Sequence, residues 1–236
     1  MNEFEQPLGV YARPNLANFL STDIYGITAD ECSIGRGNVE AVRQMIAAGI
    51  KVIQYREKDK SARQMYEECL AIRELTGGDG VTFIVNDHVD LALAVEADGV
   101  HVGQDDLPPE KVRQMVGDEM IIGLSTHSPS QAQAAMSIAG IIDYIGVGPI
   151  FATNTKKDVC EPVGLEYLDY VVSNISLPFV AIGGIKEHNI GLVRARGAKI
   201  ISLVTEIVGA PDIAAKVGAI RAALDGASGV TPPPFR

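Results

Sequence analysis

The sequence predicts an α/β protein folded as a single-domain, eight-stranded (β/α)8 TIM barrel. Three observations carry that expectation. Short β-rich apolar runs alternate eight times with longer helical patterns between about Asp23 and Leu224. Those runs are almost continuously apolar, as strands buried on both faces are. Polar residues follow nearly every run, the pattern of a parallel barrel whose strand ends build one rim. An open doubly wound sheet shares the alternation, but eight units in about 200 residues favour closure.

The elements follow in order. IYGIT (Ile24 to Thr28) is the first strand, and NVEAVRQMIAAG behind it sets Val39, Val42, Met45 and Ile46 on one helical face. VIQYR (Val52 to Arg56) precedes a helix over about Ala62 to Leu75. TFIVN (Thr82 to Asn86) precedes the short helix DLALAVEA. GVHVG leads to a helix opened by Pro108-Pro109, and MIIGLS (Met120 to Ser125) to one beginning near Ser128, with Pro129 in the first helical position. YIGVG (Tyr144 to Gly148) is followed by a long loop and a helix over about Leu165 to Ser173. FVAIG (Phe179 to Gly183) and KIISLV (Lys199 to Val204) are the last strands, with helices near His188 to Ala195 and Asp212 to Leu224. Residues 1–22 read as an extension with a short helix packed on the barrel, 23–225 as the catalytic barrel, and the Gly- and Pro-rich 226–236 as a loose tail.

Composition narrows the function. A net charge of −10 and a pI of about 4.9 disfavour nucleic acid and anionic membranes as partners. Cys32, Cys69 and Cys160 are far apart and without CxxC spacing, which argues against a disulfide framework or structural zinc. The acidic N-terminus lacks the features of a secretion signal and no run is long enough to span a membrane, so a cytoplasmic setting is expected. A homo-oligomer is compatible with the sequence.

In a barrel the loops after the strands share one face. That rim collects Arg56, Glu57 and Lys58; Asn86 and Asp87; Gln104, Asp105 and Asp106; Ser125, Thr126 and His127; Thr153, Asn154, Thr155, Lys156 and Lys157; Gly183 and Gly184; Thr205 and Glu206. Within VNDHVDLALAVEADGVHVGQDD, Asp90, Glu96 and Asp98 read as a solvated helix face. Asp87 and Asp106 follow adjacent strands and can meet across the rim. Two carboxylates suit Mg²⁺, which completes its shell with water and phosphate oxygens, and Arg56, Lys58 and Lys156 would then surround a diphosphate; the less favoured alternative makes the Asp pair loop caps or salt-bridge partners of those bases. Gly183-Gly184 allows backbone N–H groups to approach a phosphate. His127 reads as a rim or support residue rather than an acid–base, and His101, inside a strand, as a residue pointing into packing.

QYREK, VNDH, ADGVHVGQDD, GLSTHS, DYIGVGPIFATNTKKD and AIGGI together resemble the thiamine-phosphate synthase family, in the family's order and over most of the chain. The resemblance implies a Mg²⁺-dependent transferase of thiamine biosynthesis. It joins a hydroxymethylpyrimidine diphosphate to a thiazole phosphate by a dissociative substitution, giving thiamine phosphate and diphosphate. It implies that Asp87 and Asp106 hold Mg²⁺, that Gln54, Arg56, Lys58, Asn86 and Lys156 hold the pyrimidine diphosphate, and that Ser125 lies by the pyrimidine. Thr153, Thr155, Gly184, Val204 and Thr205 would surround the thiazole phosphate. Arg56, Lys58, Ser125 and Lys156 are the residues expected to act on the reacting groups. Three positions depart from the family pattern. His88 stands where a second Asp is usual, Lys199-Ile200 replaces Asp-Gly, and the last strand's loop reads Val204, Thr205, Glu206. Glu206 would repel a phosphate unless it turns away or pairs with a base. The rivals are a metal-free thiazole tautomerase working through a group such as His127, and a barrel that binds a phosphorylated ligand without chemistry.

Overall fold

The computed structural model describes residues 15–78, 80–153 and 160–227. Eight parallel strands close in sequence order: β1 (Ile24–Ile27), β2 (Val52–Tyr55), β3 (Thr82–Asn86), β4 (Gly99–Val102), β5 (Ile121–Thr126), β6 (Tyr144–Val147), β7 (Phe179–Ala181) and β8 (Ile200–Ser202), with β8 pairing back onto β1. Each run named from the sequence forms its strand, with ends that agree to within two residues. Ten helices accompany them among the described residues: α1 (Leu16–Ser21), α2 (Asn38–Ala47), α3 (Ala62–Gly77), α4 (Val89–Ala94), α5 (Pro109–Val116), α6 (Pro129–Ser137), α7 (Gly164–Asn174), α8 (Ile190–Ala195), α9 (Val204–Val208) and α10 (Ile213–Ala227).

Local chemistry sets the helix starts. Ser61 and Gln64 form a reciprocal capping box at α3, and the Ser128 hydroxyl accepts the Gln131 N–H at α6. Pro109 and Pro129 open α5 and α6, where a missing N–H costs nothing. One element departs from the sequence reading. KIISLV leaves the strand after Ser202, and Val204 begins α9 instead of ending β8.

Outward strand residues pack with the helices into one large apolar layer. Inward residues form a second, which includes Tyr25, Ile84, Ile121, Tyr144, Val180 and Ile200. α1 stoppers the barrel at its strand-start end. Phe19, fully buried, places its ring centroid 4.4 Å from that of Tyr144 and 6.0 Å from that of Tyr25. Gly123 on β5 makes this interior possible, because a Cβ there would overlap both the Tyr144 ring and His101 Nδ1.

Aspartates at the strand-start end clasp strands to helices. Asp23 accepts the Ile24 N–H and pairs with Arg221 of α10 at 2.8 Å. Asp98 accepts the Phe83 N–H at 2.8 Å, Arg73 of α3 at 3.1 Å and the Asn15 amide at 2.7 Å. Asp143 accepts the Ile122 N–H at 2.8 Å and Arg113 of α5 at 3.1 Å. This corrects the reading of Asp98 as solvated: its side chain is 7% exposed, because strand closure brings a backbone donor and an arginine to it.

Candidate active site

At the strand-exit end the barrel opens into a cleft of about 720 Å³, which Gln54, Arg56, Asn86, Ser125, Thr153 and Gly184 line, with Val204 and Thr205 at its far wall. Thr155 and Lys156, and with them Asn154 and Lys157, lie outside the described residues.

Arg56 leaves β2 with its backbone fixed: its N–H donates to the Thr28 hydroxyl at 2.8 Å, and that hydroxyl donates to its carbonyl at 3.1 Å. The side chain enters the cleft, and its buried Nε has no hydrogen-bond partner among the described residues. A buried guanidinium N–H requires an acceptor, and an anion in the cleft supplies one. Lys58, two residues on, forms an ion pair with Asp87. Glu57, grouped with the rim by sequence, turns away from it. Its carboxylate, 7% exposed, accepts the N–H groups of Lys58 and Asp59 and the Asn38 amide, so it shapes the loop that presents Lys58. Behind it Lys60 contacts Asp30 and Glu68, each at 2.6 Å. Partial burial works against its charge, but these hydrogen bonds win and hold its pKa above the usual lysine range.

Asp87 sits at φ +60°, a left-handed conformation that costs a non-glycine residue energy and recurs at functional sites. Its backbone N–H donates to the His101 carbonyl of the neighbouring strand at 2.8 Å, so β4 holds it there. Asp106 accepts the Gly103 N–H at 2.7 Å through one oxygen. Asp87 and Asp106 therefore lie on the loops of adjacent strands β3 and β4, at the rim rather than in the wall of the cleft. No group of three His, Cys, Asp or Glu side chains with metal-site geometry occurs among the described residues. A pair of carboxylates, each with one oxygen committed to a protein donor, is a hard-oxygen set of the kind Mg²⁺ accepts beside phosphate.

The opposite side of the cleft is built by β6, β7 and β8. Gly184 has φ +63°, and a Cβ on it would lie 2.5 Å from the Ala152 carbonyl oxygen. Glycine there is thus demanded by packing against the β6 loop as well as by any approaching anion. Lys186, which the sequence reading passed over, donates to the Thr205 hydroxyl at 2.8 Å and contacts Glu206 at 3.2 Å. Glu206 also faces Lys216 at 3.6 Å. Partial burial acts to raise the Glu206 pKa, but the hydrogen bond and charge of Lys186, with Lys216 behind, outweigh it and hold it below the usual carboxylate value. Its negative charge is neutralised by these bases, which answers the repulsion expected from sequence. His127 donates from Nδ1 to the Gly148 carbonyl at 2.6 Å, as a support residue would.

The floor of the cleft adds polar contacts to its sequence reading. His101 points inward and is buried against the Tyr144 ring, and it also makes polar contacts that its place in a strand does not reveal. Its Nδ1 lies 2.9 Å from Tyr144 Oη and its Nε2 2.9 Å from Ser125 Oγ. Tyr144 Oη lies 2.8 Å from Tyr25 Oη, to which Gln54 Nε2 donates at 2.8 Å. The alternation of inward residues could have placed Tyr25, Gln54, His101, Ser125 and Tyr144 inside together, but only strand register shows that they touch.

Fold and cleft define a single-domain parallel (β/α)8 barrel with a polar cleft at the strand-exit end. The model of the thiamine monophosphate synthase family matches residues 24–207. The thiamine-phosphate synthase of Pelotomaculum thermopropionicum is 73% identical over 210 residues, 89% of this chain and 95% of that protein. That of Lawsonia intracellularis is 56% identical over 205 residues, 87% of this chain and 94% of the relative. Among solved structures, a thiamine phosphate pyrophosphorylase from Pyrococcus furiosus superposes with a TM-score of 0.79 at 34% identity, covering 88% of this chain and 98% of that one. The chain belongs to the thiamine-phosphate synthase family, and is a transferase. No helix among its described residues is long and apolar enough to cross a membrane.

Proposed function

We propose that the chain condenses 4-amino-2-methyl-5-hydroxymethylpyrimidine diphosphate with 4-methyl-5-(2-phosphoethyl)thiazole, yielding thiamine phosphate and diphosphate, and that residues 23–225 are the unit that does so. The observation that carries this reading is the buried, unpartnered Arg56 Nε in the cleft wall, beside a rim that bears Lys58, Asp87 and Asp106. Asp87 and Asp106 would hold Mg²⁺, which when bound neutralises charge on a departing diphosphate. Arg56 and Lys58 bind diphosphate oxygens, with Lys156 assigned to the same task. Asn86 and Gln54 fix the pyrimidine half, and Ser125 hydrogen-bonds its ring. Gly184, Val204 and Thr205, with Thr153 and Thr155, take the thiazole phosphate.

The chemistry asks little covalent work of the protein. The bond from the methylene carbon to the diphosphate oxygen breaks, the pyrimidine stabilises the positive charge, and the thiazole nitrogen forms the new C–N bond. The cations of the rim stabilise the leaving group, and preorganised charge of this kind is a large rate term. The enclosed floor keeps water from the cationic carbon. Three free thiols support a reducing, cytoplasmic setting. The test is one reaction in two tubes, both substrates with Mg²⁺ or with EDTA. Thiamine phosphate only with Mg²⁺ is the expected result, and none in either tube from folded protein refutes the reading.

A further inference from the structure

The hydrogen bonds under the cleft can be read as a sequence of donors and acceptors with one direction. Gln54 donates through Nε2 to Tyr25 Oη. Burial pushes the pKa values of Tyr25 and Tyr144 far above the ordinary phenol range, so each keeps its single proton. Tyr25 Oη has two partners, the Gln54 amide nitrogen, which cannot accept, and Tyr144 Oη. Its proton therefore goes to Tyr144. Tyr144 has then to pass its own proton to His101 Nδ1, 2.9 Å away. A His101 that accepts at Nδ1 is neutral and carries its proton on Nε2, where it donates to Ser125 Oγ at 2.9 Å. The Ser125 hydroxyl proton is left over, on a side chain that lines the cleft.

We infer that Gln54, Tyr25, Tyr144 and His101 form a relay that fixes His101 as its Nε2–H tautomer, so that Ser125 meets the bound substrate as a hydrogen-bond donor. Tyr25, Tyr144 and His101 are thus positioning residues acting through Ser125. The inference rests on the reading that Ser125 contacts the pyrimidine ring, whose nitrogens are acceptors. The arrangement is built for this purpose at a cost in side-chain volume. Gly123 leaves out the Cβ that would strike both Tyr144 and His101, and Phe19 presses on Tyr144 from below. The opposite direction, with Ser125 donating to His101, would offer the substrate an acceptor only and would mismatch a ring nitrogen.

The test combines a spectroscopic and a kinetic arm on the full chain. Proton-coupled ¹⁵N spectra of the imidazoles are expected to show His101 as Nε2–H, opposite to His127, which donates from Nδ1. Tyr144→Phe removes one oxygen while keeping the ring. It is expected to erode the Nε2–H preference and to lower kcat/KM by about 10-fold, the scale of one buried hydrogen bond. Ser125→Ala is expected to cost about 100-fold, as loss of a well-placed donor does. Adding Tyr144→Phe to Ser125→Ala should cost nothing more, because the relay acts only through that hydroxyl; a merely structural role would give additive losses. An Nδ1–H tautomer for His101, or additivity in the double variant, overturns the inference while leaving a crippled Ser125→Ala in support of the pyrimidine reading. Full activity of Ser125→Ala overturns both.

Discussion

The two ends of the barrel spend the same residue type in opposite ways. At the strand-start end Asp23, Asp98 and Asp143 each accept a backbone N–H and an arginine, and Phe19 seals the interior beneath them. At the strand-exit end Asp87 is held in a left-handed conformation against Lys58, and among the described residues Asp106 keeps an oxygen uncommitted to a protein donor and Arg56 Nε lacks a partner. Satisfied charged groups stabilise a fold; incompletely satisfied ones, of either sign, mark candidate ligand sites. For these five aspartates the pattern of partners follows the end of the strand, as the division of labour in parallel barrels would have it, whereas Glu57 and Glu206 at the exit end are partnered by protein donors.

Substitutions that act on one end alone break or sharpen this contrast. Asp106→Ala should lower kcat by about 100-fold or more, on the scale of losing charge stabilisation at a leaving group, with an unchanged thermal midpoint. Steady-state kinetics beside a melting curve checks it, and near-normal turnover with Mg²⁺ would remove Asp106 from the metal set. Asp143→Ala should do the reverse. It strands the Ile122 N–H and takes the counter-charge from Arg113, which keeps its bonds to carbonyls such as those of Ile141, Gly117 and Met120, in a site where the carboxylate is 2% exposed, and breaking a buried pair costs about 3–5 kcal/mol. Urea unfolding would read that loss, and the folded fraction should turn over normally. If it does not, the two ends are coupled.

Smaller effects follow. Glu206→Gln frees Lys186 from its carboxylate and should tighten thiazole phosphate binding a few-fold, about the worth of one part-exposed ion pair. Titration calorimetry reads it, and weaker binding would mean that Glu206 holds Lys186 in its working position. Asp23 supplies a pH-dependent test. Partial burial acts to raise its pKa, but Arg221 and the Ile24 N–H hold it below its ordinary 3.8. A depressed carboxylate stabilises the fold above its unfolded-state pKa and loses that contribution as pH falls through the folded one. The difference between wild type and Asp23→Asn, at most about 1 kcal/mol for a part-exposed pair, should be present at neutral pH and vanish in acid below the normal Asp range. Persistence of the full difference there would assign it to something other than charge.

Sequence carried the architecture because the strands are apolar enough to be named one by one, and the rim because a parallel barrel gathers whatever follows them. Asp87, Asp106, Arg56 and Lys58 could be placed from position alone. What stayed illegible depends on contacts between residues far apart in the chain. Asp98 looked solvated because its donors, Phe83 and Arg73, approach only after closure. His101 looked inert because Tyr144 is 43 positions away. Glu206 reads as repulsive because Lys186, in the loop after β7, and Lys216, on α10, neutralise it only in space. The helix α9 hid in a run of strand formers, where local propensity yielded to the need to turn the chain at the end of β8.

Phe19 and the apolar layer above it make the barrel a vessel with a single mouth. Among the described residues Phe19 closes the strand-start end, so substrates held in the cleft would enter, and products would leave, by the strand-exit mouth. Exchange at that doorway would then bound turnover however fast the chemistry beneath it became.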